Sequence, residues 1–238
     1  MLRALVACLV ASLSMDAMAH DLITAESAQA YLATVAESQK TIASKAPAAK
    51  RALAHLDLGK TLDEIRELLN RDLAAHGKVQ GLPSHYLVAE LQRLGAPLAW
   101  AEQRRRFGAN TLYFERALEL SPHGPRAADA GLRLLQGRFY DSFDSDPLTA
   151  DEPWPQLAGQ IALAEDLMAR DFPGDAREEL EFIGAILHAR ANLGAPDAAS
   201  RRSHGRRARQ AIAAFEARYP DSLRSAVMPI LREALDRN

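Results

Sequence analysis

Three amphipathic stretches of this chain end in the same way, with apolar residues at helical spacing followed by a proline. The stretches read YFERALELSP, EDLMARDFPGD and FEARYPDS, and their prolines are Pro122, Pro173 and Pro220. Proline lacks a backbone N–H and clashes with the preceding turn, so it ends a helix. Because a new amphipathic run begins after each proline, the pattern predicts a chain assembled from helix pairs.

The composition favours helix along the whole chain. Ala, Leu and Arg are abundant, whereas only 6% of the residues are aromatic, a usage that suits helices better than strands. No stretch alternates apolar and polar residues as a half-buried strand does. We therefore predict an all-α fold.

The N-terminus has the three parts of a secretory signal peptide. Arg3 precedes an apolar run from Ala4 to Leu13, and a small-x-small motif follows that ends at Ala19. The apolar run is too short to cross a bilayer. We therefore predict cleavage between Ala19 and His20, exclude residues 1–19 from the fold, and place the mature protein in the periplasm or outside the cell.

Cys8 is the only cysteine of the chain and lies within this signal. The sequence Leu5-Val6-Ala7-Cys8 is similar to a lipobox, which leaves a lipoprotein signal as an alternative. Almost no apolar core precedes Cys8, however, so cleavage after Ala19 is the preferred interpretation. Such a mature chain has no thiol, which excludes thiol catalysis and thiolate metal sites.

Charge and motifs exclude several classes of function. The formal net charge of −2 provides no field that would attract nucleic acid or a membrane surface. No segment after the signal has the roughly 18 consecutive apolar residues of a transmembrane helix. The sequence also lacks GxSxG, a P-loop and GxGxxG, so we predict a protein without catalytic activity. An enzyme whose site lies in the unassigned segment 20–88 is a further alternative.

Apolar periodicity predicts the individual helices and a segment organisation. In the first half, the predicted helices span 24–44, 48–58, 61–76, 84–95, 97–107 and 111–120, and a further helix starts at Pro125. Thr61 and Glu64 form a capping box at the start of the helix at 61–76. In the second half they span 156–172, 176–193, 197–219 and 222–237. The predicted segments are 20–88, a helical segment of unassigned role that would cap the stack; 89–140; an acidic, proline-rich loop at 141–155; and 156–238.

The stretch YFERALELSP resembles the second helix of a tetratricopeptide repeat (TPR) with its closing turn. Phe114, Ala117 and Pro122 have the spacing of that family, in which the small Ala allows two helices to approach and the proline ends the unit. The later phrases FPGD and YPDS look like divergent repeats of bacterial envelope proteins. The resemblance covers roughly residues 89–238 and implies a helical-hairpin solenoid, a right-handed stack of antiparallel helix pairs. It also implies a concave groove that binds a protein or peptide of the cell envelope.

A basic run and a tryptophan are the candidate partner-binding residues. The run RRSHGRRAR contains five arginines and no acid, which suits an acidic partner. Its arginines are Arg201, Arg202, Arg206, Arg207 and Arg209. Trp154 lies beside the acidic loop and would either pack on the helices or anchor the partner. The loop itself is the most economical acidic partner for the arginines.

The alternative function is copper binding in the periplasm. After cleavage, the α-amino group and the imidazole of His20 would chelate one Cu(II) ion, and a second imidazole would complete the site. The other histidines form no HxxxH or HExxH pair. The preferred prediction is therefore an exported, non-catalytic adaptor or scaffold without a cofactor.

Overall fold

The computed structural model describes residues 22–143, 146–149 and 152–237. These residues form nine α-helices, which confirms the all-α prediction. The helices are α1 Ala25–Ala43, α2 Ala48–His76, α3 Leu82–Arg93, α4 Leu112–Leu120, α5 Ala127–Tyr140, α6 Trp154–Met168, α7 Gly174–Gly194, α8 Ala198–Arg218 and α9 Met228–Asp236. None of the helices in the described ranges is long and apolar enough to cross a membrane. The predicted signal peptide and His20 lie outside the described residues.

Several helix ends lie close to their predicted positions. The hydroxyl of Thr24 accepts the backbone N–H of Ser27 at the start of α1, at 3.1 Å. Gly77 directly follows the last residue of α2, and Gly95 lies two residues after the end of α3. Both have positive φ angles, 70° and 74°, in the left-handed region that glycine adopts without strain. The predicted helix start at Ser84 is wrong, because α3 begins at Leu82 and Ser84 is buried inside its first turn.

The predicted helix start at Thr61 is also wrong, since α2 is continuous from Ala48 to His76. The Thr61 hydroxyl donates to the carbonyl oxygen of Asp57 at 2.9 Å, one turn earlier in the same helix. Leu58, Leu62 and Ile65 are fully buried on either side of it. The apolar face therefore runs through the position where the local capping signal predicted a break.

The segment predicted as a helix from Pro97 to Phe107 is instead a small antiparallel hairpin. Strands β1 Trp100–Ala101 and β2 Arg106–Phe107 are joined by a 3₁₀ turn, and Arg105 takes a left-handed conformation with φ of 50°. The Asn70 side chain of α2 donates to the carbonyl oxygen of Phe107 and accepts its N–H, both at 2.8 Å. These tertiary hydrogen bonds replace the backbone hydrogen bonds that Phe107 would have made in a helix. The Trp100 and Phe107 rings, which were predicted to share one face of a helix, contact each other across the hairpin, with centroids 5.1 Å apart.

The apolar side chains form two large cores and one small cluster between them. The N-terminal core joins α1, α2, α3 and the hairpin, with Ile23, Ala28, Val35, Leu58, Leu62, Ile65, Leu69, Leu87, Leu91, Ala96, Phe107 and Tyr113. The C-terminal core joins α5 to α9, among others through Leu135, Phe139, Leu157, Ile161, Leu180, Ile183, Leu187, Ile212, Phe215, Leu231 and Leu235. The middle cluster consists of Leu56, Phe114, Ala117, Ala130 and Leu134. From α4 to α9, each helix packs on the next one along the chain.

Candidate functional site

A groove of about 510 Å³ runs along α7, with α6 on one side and α8 on the other. We call it the α6–α8 groove. It is lined by Glu165 and Met168 of α6; Arg177, Glu181, Gly184, Ala185 and His188 of α7; and Arg207, Gln210, Ala211, Ala214 and Arg218 of α8. Both α6 and α8 pack directly on α7, so the groove is built from three consecutive helices.

The middle of the groove is lined by small side chains. Gly184 and Ala185 lie on α7, and Ala211 and Ala214 face them from α8. A methyl group added at Gly184 would meet Met168 at ordinary van der Waals distance, 3.5 Å. Small residues at these positions leave open space above the backbone of α7.

Charged side chains close both ends of the groove. At one end, Arg207 of α8 forms an ion pair with Glu165 of α6. At the other end, Glu181 accepts hydrogen bonds from Arg177, at 2.7 Å, and from Arg218 of α8. Arg177 also donates to the carbonyl oxygen of Met168 at 2.8 Å, which satisfies an orphan carbonyl at the end of α6. Each end of the groove therefore has a fixed set of charges.

Two histidines meet at the Glu165 end. The Nδ1 atoms of His188 and His204 are 3.0 Å apart, so one imidazole donates and the other accepts. The indole of Trp154 contacts the His204 ring edge-on, with ring centroids 5.9 Å apart. Glu165 Oε1 lies 3.7 Å from Nε2 of His188. This cluster joins the first residue of α6 to α7 and α8.

Burial keeps both imidazoles neutral. Desolvation lowers the pKa of His188 to about 4, and the electrostatic interaction of a protonated His188 with His204 contributes to the same shift. Burial followed by the charge of Arg207 also lowers the pKa of His204. Their hydrogen bond is therefore present at neutral pH, where neither ring carries a proton charge.

Only one of the five predicted arginines lines the groove. Arg207 does so, whereas Arg201 donates to the carbonyl oxygen of Ala195 at 2.7 Å, past the end of α7. Arg209 donates to the carbonyl oxygen of Leu235 at 2.7 Å, near the end of α9. Successive residues of a helix point in different directions, so the run does not form one basic patch. The two remaining arginines, Arg202 and Arg206, are exposed.

The acidic loop is held by an arginine that the sequence analysis did not single out. Arg190 of α7 donates to Ser142 Oγ at 2.9 Å and to Glu152 Oε1 at 3.0 Å. It also donates to the carbonyl oxygen of Pro147, and its guanidinium lies over the ring of Phe139. We expected the arginines at 201–209 to pair with this loop. Among the described residues, it is the buried Arg190 that pairs with this loop.

Comparison with known proteins gives no relative. The chain matches no protein-family model, no curated protein and no solved structure. The geometry of the candidate site is therefore the only guide to its function.

The structure does not describe the metal site predicted at the mature N-terminus, since His20 lies outside the described residues. In the part of the chain that is described, no group of three or more metal-ligating side chains is arranged to hold an ion. The meeting of His188 and His204 was missed because they are 16 residues apart on two helices. No local motif signals such a pair.

Proposed function

We propose that the protein is an exported, non-catalytic adaptor or scaffold that binds a peptide segment of a cell-envelope protein in the α6–α8 groove. The observation that carries this proposal is an open groove with a floor of small residues and charged side chains at both ends. We further propose that α4 to α9 form a TPR-like stack. The support for this stack is that each of these helices packs on the next one along the chain.

The lining indicates which segment would fit. The groove contains three arginines and two glutamates, and both glutamates are already paired with arginines. A partner carboxylate would therefore compete with Glu165 for Arg207, or with Glu181 for Arg218. In each case one exposed ion pair within the protein is replaced by one exposed ion pair with the partner, so the net gain in binding free energy is small. These contacts would therefore orient the bound segment rather than increase its affinity. Apolar contact with Met168 and the small residues would supply most of the binding free energy.

Site-specific photo-crosslinking tests this proposal. A photoreactive amino acid replaces Ala214, which lines the groove, or Ala213, which is exposed on α8 outside it. The full chain with its signal is produced in a bacterial host, and the periplasmic fraction is irradiated. We expect a defined adduct with an envelope protein from position 214 and none from position 213.

Matched substitutions complete the test. Ala214→Trp would fill the groove and abolish the adduct formed from a crosslinker at Gln210, another lining residue. Ala213→Trp carries the same bulk outside the groove and should leave that adduct unchanged. Equal crosslinking from positions 213 and 214, or a protein that stays in the cytoplasm, would contradict the proposal.

A further inference from the structure

A second cavity, of about 370 Å³, lies where the two helical halves meet. We call it the junction pocket. It is lined by Arg104, Ala109 and Thr111 from the segment before α4; Gly137, Arg138, Asp141 and Ser142 at the end of α5; and Glu152, Gln156 and Gln160 around the start of α6. It shares no lining residue with the α6–α8 groove.

Two deeply buried polar side chains meet at one wall of this pocket. Gln160 is 1% exposed, and its Nε2 donates to Glu152 Oε2 at 2.5 Å. The side chain of Glu152 is 6% exposed, and its other oxygen accepts from Arg190 at 3.0 Å. A carboxylate that is paired with a guanidinium only accepts hydrogen bonds, so the amide nitrogen of Gln160 must face it.

This arrangement leaves one acceptor unsatisfied. Gln160 Oε1 is buried, and no hydrogen-bond donor reaches it from the residues that the structure describes. A buried carbonyl oxygen without a donor loses its hydration and gains nothing in return. An N–H or O–H donor from a molecule in the junction pocket would remove that cost.

The described lining residues carry groups of both signs of charge. Arg104 and Arg138 are the cations, and Asp141 and Glu152 are the anions. Arg138 donates to Glu115 through Nη2 at 2.7 Å, and a guanidinium has five donors in all. Asp141 accepts a hydrogen bond from the backbone N–H of Ala109. Its Oδ1 also lies 3.6 Å from Nη2 of Arg106. Both signs of charge are therefore fixed in place around the cavity.

This lining excludes most classes of ligand. A lone anion would meet Asp141 and Glu152 as well as the two arginines, and a lone cation would meet Arg104 and Arg138 as well as the two carboxylates, so neither complements all four charges of the described lining. Ala109, Gly137 and the methyl group of Thr111 are the apolar parts of the described lining, which is too little to bind a hydrophobic molecule. No described lining residue is aromatic, so the stacking platform that sugar rings favour is missing.

We infer that the junction pocket binds a small zwitterion, a free α-amino acid or a dipeptide, which carries an ammonium group and a carboxylate. The ammonium group donates to Oε1 of Gln160 beside the carboxylate of Glu152, and the ligand carboxylate accepts from Arg138. Both ligand charges then meet an opposite charge inside one cavity, and the orphan carbonyl of Gln160 gains its donor. This site is separate from the groove of the proposed function and does not depend on it.

Calorimetric titration of the purified full-length protein tests the inference. The probes are glycine, alanine and larger amino acids; an alanine dipeptide; N-acetylglycine, which lacks the ammonium group; and glycine amide, which lacks the carboxylate. We expect a zwitterion to bind and both blocked analogues to bind at least about tenfold more weakly, as for a lost charged hydrogen bond. Tighter binding of single amino acids than of the dipeptide would identify the free amino acid as the ligand, and the reverse order would identify the dipeptide.

Three variants locate the binding site. Gln160→Met removes the carbonyl acceptor at similar volume and should weaken binding by about tenfold or more. Arg138→Gln affects a half-buried side chain and should do the same if Gln160→Met fails to fold. Arg116→Gln removes an exposed arginine that pairs with Glu119 on α4 and should leave affinity unchanged. A pocket that holds water only would show no heat with any probe, and this result, or equal affinity in all three variants, would overturn the inference.

Discussion

At the scale of single residues, Arg190 is the buried charge on which the junction of the two halves depends. It is 4% exposed, and its partners are Glu152, Ser142 and the carbonyl oxygen of Pro147. Removing one member of a buried ion pair leaves the other charge desolvated. We expect Arg190→Met to lower the free energy of unfolding by about 3 to 5 kcal/mol in urea denaturation.

The exposed Arg202 of α8 is the matched control for Arg190. Arg202→Met should change the free energy of unfolding by less than about 0.5 kcal/mol, as most surface substitutions do. The double variant Arg190→Met with Glu152→Gln should recover part of the loss, because no unpaired carboxylate remains. Equal stability of Arg190→Met and the natural protein would contradict the structural role assigned to this arginine.

His188 gives the protein a defined response to acid. Burial, followed by the charge of His204, lowers the pKa of His188 from 6.5 to about 4. Between these values the unfolded chain binds the proton and the folded chain does not, so stability falls as the pH falls through this window. The full shift corresponds to up to about 3 kcal/mol, which is present above pH 6.5 and is progressively lost below it.

Denaturation at several pH values measures this effect. We expect His188→Gln to flatten the dependence of unfolding free energy on pH between 6.5 and about 4. His204 loses its imidazole partner in the same variant. The change in pH dependence between the natural protein and His188→Gln therefore reports on both His188 and His204. His85→Gln, at an exposed position of α3, should keep the slope of the natural protein. An identical slope in the two variants would show that the buried pair does not titrate with folding.

At the scale of helices, Gly59 sets the distance between α2 and α4. A methyl group at Gly59 would lie 2.6 Å from Cε1 of Phe114, which is fully buried. Gly→Ala inside a helix normally gains up to about 1 kcal/mol, but overpacking a core costs about 1 to 3 kcal/mol. Because Phe114 is fully buried in the cluster with Leu56 and Leu134, we expect Gly59→Ala to destabilise the protein in thermal and urea denaturation.

Gly159 is the matched control on α6. A methyl group there meets no other atom within 4 Å, so only the helix propensity changes. We expect Gly159→Ala to raise the free energy of unfolding by about 0.5 to 1 kcal/mol. If both substitutions changed the free energy of unfolding in the same direction, the close packing of α2 on α4 would not be what determines the effect of Gly59→Ala.

The helices show which parts of this fold can be derived from sequence. The boundaries of α1, α4 and α8 were predicted closely, because apolar periodicity is clear in all three. The side chains of Thr24 and Asp197 also cap α1 and α8. Two of the wrong predictions, a break at Thr61 and a helix at 97–107, concern places where tertiary contacts outweigh local signals. The Asn70 side chain, for example, binds the backbone of Phe107 across 37 residues. The groove and the junction pocket escape sequence analysis for the same reason, since each gathers side chains from distant segments.

At the scale of the whole molecule, the middle cluster joins the two large cores. It takes Leu56 from α2, Phe114 from α4 and Leu134 from α5. Leu163 of α6 packs against both this cluster and the C-terminal core. Lys60 of α2 also pairs with Asp129 of α5 at 2.5 Å. The contacts between the halves are therefore apolar at the centre and ionic at the edge, which favours unfolding in one step.

The chain contains one tryptophan near each core, which makes this cooperativity measurable. Trp100 contacts Phe107 beside the N-terminal core, and Trp154 packs on the C-terminal core. In the single-tryptophan variants Trp100→Phe and Trp154→Phe, fluorescence should give the same urea midpoint for both halves, provided that each substitution leaves the far-UV transition unchanged. Different midpoints in these two variants would mean that the halves unfold separately even with the middle cluster intact.

Leu134→Ala tests whether the middle cluster is the source of this coupling. Leu134 is almost fully buried, so its truncation should cost about 2 to 5 kcal/mol. Because the lost contacts lie between the cores, we expect the midpoints reported by Trp100 and Trp154 to separate. Leu231→Ala removes the same volume inside the C-terminal core, where the middle cluster is untouched, so both midpoints should fall together. Coincident midpoints in both variants would place the coupling elsewhere, at the Arg190 network or the Lys60 ion pair.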